Sequence, residues 1–229
     1  MKNIFIIIIV LITTSFSYSQ TEKGKKFLGG KININWSNST DTSARSKTNS
    51  IGFNIAPHFG YFVIDNFAIG IGVSFGISST NKETIYPKSN IYSLQNDIKI
   101  IKNYGVKIFS RYYFKTSDKF FFILNGNLYY EYRNLNIENV AYGNNQYGVF
   151  KDQQIINLEN NTFGLNISPG FVYFVTPKIG IEALFGNIGY SLTSTYDTDN
   201  RNTKFTTTTS KYGLALDIST INLGINYYF

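Results

Sequence analysis

The ionisable side chains that could act together in this 229-residue chain are few, and they share one phase of a period-two pattern. They are Lys107, Arg111, Glu131, Arg133 and Glu182, joined by the single histidine, His58. His58, Arg111 and Glu182 each lie about six residues from a short turn, which puts them at similar depth, some ~20 Å along a strand before tilt. A carboxylate facing a guanidinium or an imidazole across an enclosed space forms a short charge-assisted pair. The pattern therefore predicts that Glu182 pairs with Arg111 or His58 and helps fill an interior; the alternative is separate, hydrated side chains. Catalysis is not expected. There is no cysteine, the Gly-x-Ser-x-Gly run at Gly72–Gly76 lies inside an alternating strand rather than at a strand-to-helix elbow, and a lone histidine makes no triad. No catalytic residue, cofactor or metal site is assigned. Asp197-Thr198-Asp199 is a weak calcium signal and reads more simply as solvated loop. Gly143–Gly148 reads as a loop tip, since no strand–helix context surrounds it.

The elements that must position these residues are strands. Leu28, Gly30, Ile32, Ile34 and Trp36 form one face of a first strand, and Phe67, Ile69, Ile71, Val73, Phe75 and Ile77 one face of a third. Continued along the chain, the alternation gives eight strands. A change of phase near Gly186-Asn187, and another near Ser219, each call for a β-bulge. The motif Asn54-Ile55-Ala56-Pro57 with Phe59 and Tyr61-Phe62-Val63 recurs as Asn166-Ile167-Ser168-Pro169 with Phe171 and Tyr173-Phe174-Val175. The constant offset of 112 residues places the copies four strands apart. Pro57 and Pro169 each predict a bulge or a missing ladder bond.

The face opposite the apolar one carries Gly52, Asn54, Gly60, Gly70, Gly72, Ser74, Gly76, Asn125, Asn127, Asn166, Ser168, Asn222, Gly224 and Asn226. Small and polar residues suit the inside of a narrow eight-stranded barrel better than a solvated surface. Aromatics bracket the short connections Val63–Asn66, Lys115–Lys119 and Val175–Lys178. Tyr61, Phe67, Tyr112, Phe114, Phe120, Phe122, Tyr173, Tyr227 and Phe229 are assigned to one rim, at the depth of lipid headgroups. The other connections, about 38–50, 79–102, 134–161 and 195–211, are long and polar and are expected as external loops. Their Tyr86, Tyr92, Tyr142, Tyr147 and Phe150 suit contact with a protein or glycan.

Residues 1–19 read as a cleaved signal peptide: Lys2, the apolar run Ile4–Ile12, then Ser17-Tyr18-Ser19 before Gln20. Residues 20–26 are a short segment, and 27–229 the barrel. The formal charge of +7 is spread along the chain, which speaks for anionic lipid or polysaccharide rather than nucleic acid.

Together with the final Ile225-Asn226-Tyr227-Tyr228-Phe229 and the Pro-x-x-x-Tyr-Phe turns, these features resemble the OmpA/OmpX-like family of small outer-membrane β-barrels over residues 27–229. The resemblance implies an all-β fold, an eight-stranded antiparallel up-and-down transmembrane β-barrel. It also implies a monomer in outer-membrane lipid, both termini periplasmic, with the last strand recognised by the barrel assembly machinery. The expected role is structural or surface interaction carried by the outer loops. The alternatives are a narrow channel for small solutes, a lipid-modifying enzyme and a soluble lipocalin-like lipid binder.

Overall fold

A sheet that is apolar on one face and small or polar on the other closes stably in two ways: grease inward around a ligand, or grease outward in lipid. The computed structural model describes residues 20–88, 91–145, 148–198, 204–215 and 222–229, and it takes the second way. Strands β1 (Lys26–Asp41), β2 (Ser46–Ile64), β3 (Phe67–Lys88), β4 (Ile91–Lys115), β5 (Phe120–Asn145) and β6 (Gly148–Thr176) run up and down, each antiparallel to the next. Next to β6 lie β7 (Ile179–Leu184) and β8 (Asn187–Thr198), two parts of one stave. β10 (Asn222–Tyr228) pairs with β7, and β9 (Lys204–Ala215) pairs with β8, forming the eighth stave. The ring closes where β1 meets β10, from Phe27↔Tyr228 to Lys31↔Gly224. Among the described residues above that ladder, β1 pairs with β2 and β9 with β8. The signal peptide and the bulge expected near Ser219 fall outside the described residues.

Ile71 and Leu223 are both 62 % exposed on the outer wall, and Val73 and Leu124 face the same way. Strongly apolar side chains left uncovered over a whole cylinder call for a hydrocarbon solvent. A soluble lipocalin-like barrel would have these side chains in the middle, so that alternative is excluded. Inside, small residues stand beside large ones. A Cβ at Gly60 would lie 2.2 Å from the Phe27 ring, and one at Gly70 would lie 2.3 Å from Phe109. The glycines of the inner face are thus the sockets that let rings cross a narrow lumen.

Both prolines sit where the ladder is interrupted. Between Ile55↔Phe75 and His58↔Gly72 the β2–β3 register continues, but the pairs opposite Ala56 and Pro57 are absent. At Pro169 the partner stave bulges: the register passes from Gly170↔Leu184 to Ile167↔Ile188, one residue longer on the partner's side. The extra residue is at Phe185-Gly186, where Gly186 has φ +66° and Phe185 N–H donates to Pro169 O at 3.1 Å. The repeat extends into the turns. The β2–β3 hairpin shifts register between Phe62 and Ile64, and the β6–β7 hairpin between Phe174 and Thr176, again 112 residues apart.

The long polar connections are the main correction. Residues 79–88 and 91–102 continue β3 and β4 in unbroken register as far as Lys88↔Ile91. Residues 134–145 and 148–161 do the same for β5 and β6, as far as Asn145↔Gly148. Only 42–45 separate β1 from β2. Polarity on both faces reads as loop, yet a strand standing in water on both sides is polar on both faces too. Cross-strand pairs hold these stems, such as Asn136 Nδ2 donating to Asn157 Oδ1 at 2.6 Å and Gln153 Nε2 to Glu138 Oε1 at 2.7 Å.

Candidate functional site in the barrel lumen

Period-two geometry sends neighbouring aromatics to opposite sides of the wall. Tyr61, Phe67, Tyr112, Phe114, Phe120, Phe122, Tyr173, Tyr227 and Phe229 face outward, exposed or half-buried, and form a girdle at the short-turn end. Their neighbours Phe62, Tyr113, Phe121, Phe174 and Tyr228 face inward with Phe27, each at most 2 % exposed. From sequence the outward rings are assigned to the rim and the inward ones have no role; these inward rings close the barrel. Phe174 and Tyr228 have ring centroids 4.8 Å apart, Phe62 and Tyr113 5.2 Å, and Phe27 and Tyr228 5.3 Å. The Tyr113 and Tyr228 hydroxyls meet at 3.2 Å. The segment before β1 braces this end from below: Thr21 is fully buried and bonds Asn66, and Lys23 N–H donates to Asp65 Oδ1 at 2.8 Å.

A polar layer rests on the plug. Arg111 Nη1 donates to Glu182 Oε2 at 2.7 Å, with both side chains buried. Asn226 joins the third member: its Nδ2 donates to Glu182 Oε2 at 2.9 Å, and its Oδ1 lies 2.8 Å from His58 Nε2. His58, Arg111 and Glu182 thus converge, with Arg111 as the direct partner of Glu182 and the histidine reached through an amide. Arg111 also lies over the Phe27 and Phe109 rings, 5.5 Å from each centroid. Its Nε donates to Asn125 Oδ1 at 3.0 Å, Asn125 Nδ2 to Asn127 Oδ1 at 2.8 Å, and Asn127 Nδ2 to Asn166 Oδ1 at 2.7 Å. Every amide in this row is oriented the same way, which lets each bond polarise the next.

Above the layer is a polar cavity of about 390 Å³, whose lining includes Lys31, Lys107, Asn127, Asn166 and Ser168. Lys107 faces inward as expected but takes no part in the Glu182 cluster; its ammonium lies 5.8 Å from the Phe109 centroid. Higher still, Arg133 Nη2 meets Glu131 Oε1 at 2.9 Å, with side chains 45 % and 32 % exposed. Solvent therefore reaches the lumen from the hairpin end and stops at the Arg111–Glu182 layer, where the two side chains are buried.

Three features were absent from the sequence reading. Lys31, whose Nζ is 3.7 Å from Glu182 Oε1, shares the inward phase of Phe27 and Gly29, so parity alone would have found it. Asn226 as a bridge depends on closure of β10 onto β1 and β7, which no local pattern shows. A second, upper girdle also exists: Trp36, Phe75, Tyr104, Tyr130, Phe163 and Tyr212 are outward and exposed. Phe114 and Tyr104 on β4, and Tyr173 and Phe163 on β6, are ten residues apart. That matches the roughly 9–11 residues a tilted strand needs to cross hydrocarbon.

Neither a family model nor a curated protein matches the chain. Several solved structures are similar in part. Neisserial surface protein A is 16 % identical, covering 90 % of this chain and 98 % of its own, with a TM-score of 0.37. The outer membrane protein OprG from Pseudomonas aeruginosa is 14 % identical, covering 93 % and 99 %, with a TM-score of 0.45. The N-terminal β-barrel domain of Pseudomonas aeruginosa OprF is 14 % identical, covering 91 % and 98 %, with a TM-score of 0.27. The assignment rests on the geometry above: a closed ring of eight staves, an apolar outer wall between two aromatic girdles and a polar interior make this an outer-membrane-type β-barrel.

Proposed function

We propose that this protein sits in an outer membrane and acts in surface interaction through the hairpin stems that project beyond the upper girdle, and that it is not a catalyst. The observation that carries the reading is the length of those stems. β4, β5 and β6 are 25, 26 and 29 residues long, against the roughly 9–11 that cross the bilayer. More than half of each strand stands outside hydrocarbon, on the side away from both described chain ends. The stems carry exposed Ile85, Tyr86, Leu94, Tyr142 and Ile155, with Lys151 Nζ 5.9 Å from the Tyr142 ring. Apolar and aromatic side chains held on a rigid polar ribbon are the composition of a binding surface. Of the residues expected there, Tyr147 lies outside the described residues, as do the side chains of Tyr92 and Phe150. Arg111 and Glu182 are held in place by Asn125 and Asn226, which supports a structural role for the buried pair.

The test is to shorten the β5–β6 hairpin by joining Glu138 to Ile155 through a two-residue turn, then to measure binding of intact cells to immobilised glycans and matrix proteins. Loss of binding with the barrel still folded is the expected result. Unchanged binding, or stems resistant to protease added outside the cells, would overturn the reading. A narrow channel is disfavoured by the aromatic plug, and planar-bilayer recordings should show no steady conductance.

A further inference from the structure

We propose that the cavity above the Arg111–Glu182 layer is a binding site for a small soluble anion, carboxylate- or phosphate-bearing, gripped by Lys31 and Lys107. The first argument is charge. In and beside the cavity floor the cations are Lys31, Lys107 and Arg111, and the carboxylate is Glu182. Three positive charges face one negative, an excess of two. Glu131 also lines the cavity but is already paired with Arg133. Among the described residues Lys107 has no carboxylate within 4 Å and no hydrogen bond, and it is close enough to Lys31 to be repelled by it. Two ammoniums sharing an enclosed space with low-dielectric walls focus a positive potential there, and an anion relieves it.

The second argument is hydrogen bonding. The amide row that starts at Arg111 ends on Asn166, whose Oδ1 is occupied and whose Nδ2 donates to no described residue. The cavity is therefore lined by groups with protons to give: two ammoniums, a terminal amide and the Ser168 hydroxyl. Such a lining fits a ligand rich in acceptors. The third argument is shape. Gly72 lies across from Lys107 on the neighbouring strand, and a Cβ there would stand 2.7 Å from Lys107 Cε. The missing side chain lets the lysine stem lie inside the lumen. A volume near 390 Å³ is at the small end of ordinary ligand pockets. The plug beneath makes the site a dead end, suited to holding a solute rather than passing it.

Calorimetric titration of the whole barrel in a neutral detergent, with inorganic phosphate and with succinate, tests this. Binding with a Kd of about 1 mM is expected for at least one of the two. Lys107→Gln should weaken it about tenfold or more, while Lys107→Arg should keep it within about threefold. Asn166→Ala, which leaves both ammoniums in place, should weaken it about threefold to tenfold and stands in should K107Q fail to fold. Shortening the β5–β6 hairpin should leave the affinity unchanged, which separates this site from the outer surface. No binding heat with either anion would overturn the proposal, as would equal affinity in K107Q. Binding that appears only when phosphate-headgroup lipid is added would also overturn it, since the ligand would then be a headgroup.

Discussion

The lower and upper halves of this barrel are built from the same strands and solve opposite problems. Below, between the girdles, the outside is dry, and the inside must satisfy every polar group without bulk water. Arg111, Glu182, Asn226, His58 and Asn125 meet most of that demand by closing on one another, over rings that exclude solvent, with Glu182 Oε1 and His58 Nδ1 left without a hydrogen bond. Above, water reaches both faces, and Glu131, Arg133 and the Asn and Thr pairs of the stems form bonds that water could replace. The same type of ion pair therefore has different worth in the two halves, and so does the same apolar side chain on the outer wall. Interaction type says little here without depth.

The largest contrast concerns Glu182. Glu182→Gln leaves the Arg111 charge buried without its counter-ion, which should cost about 3–5 kcal/mol. Denaturant unfolding from lipid vesicles, followed by the loss of the fast-migrating folded band on gels, measures it. A loss under about 1 kcal/mol would mean that water reaches the layer and that the lower half is not dry. Replacing Arg111 and Glu182 together by Met and Leu should recover much of the stability, because the expensive species is the unpaired charge rather than the missing bond.

The outer wall gives the second contrast. Ile71 lies between the girdles, and Ile85 lies beyond the upper one on the same strand, with exposures of 62 % and 48 %. Ile71→Arg should destabilise the folded barrel by about 2–4 kcal/mol, and Ile85→Arg by about 0–1 kcal/mol. The same unfolding assay reads both. Equal costs would move the membrane boundary, and with it the reading of the stems as external.

This contrast also explains what the sequence could disclose. Wherever the environment differs across the wall, as at Ile69, Ile71 and Val73 against Gly70, Gly72 and Ser74, alternation marks strand, face and phase together. The inward phase of His58, Arg111 and Glu182 was legible for that reason, and so was the bulge beside Gly186. In the stems both faces are wet, the alternation fades, and residues 79–88 and 91–102 look like loop although their register is unbroken. The plug was hidden by a different ambiguity. Tyr61 and Phe62, or Tyr173 and Phe174, are alike in composition, and only their parity decides which ring meets lipid and which fills the lumen. Lys31 was open to the same parity argument, whereas Asn226 bridges His58 to Glu182 only because the last stave returns to the first. That contact spans 168 residues of chain, and local pattern carries no trace of it.

The smallest expected effect gives the finest test of the difference between the halves. Glu131→Gln removes an ion pair of the same chemistry and nearly the same length as that of Glu182, 2.9 Å against 2.7 Å. Its partners stand in the wet part of the lumen, so the pair competes with hydration and salt, and its loss should cost about 0–1 kcal/mol. What cost there is should vanish as salt is raised to about 1 M, where screening acts over about 3 Å. The cost of Glu182→Gln should persist under the same conditions, because ions do not enter the layer above the plug. A salt-insensitive loss at Glu131 would place it in the dry half and shift the boundary between the two regimes upward, past the top of the cavity.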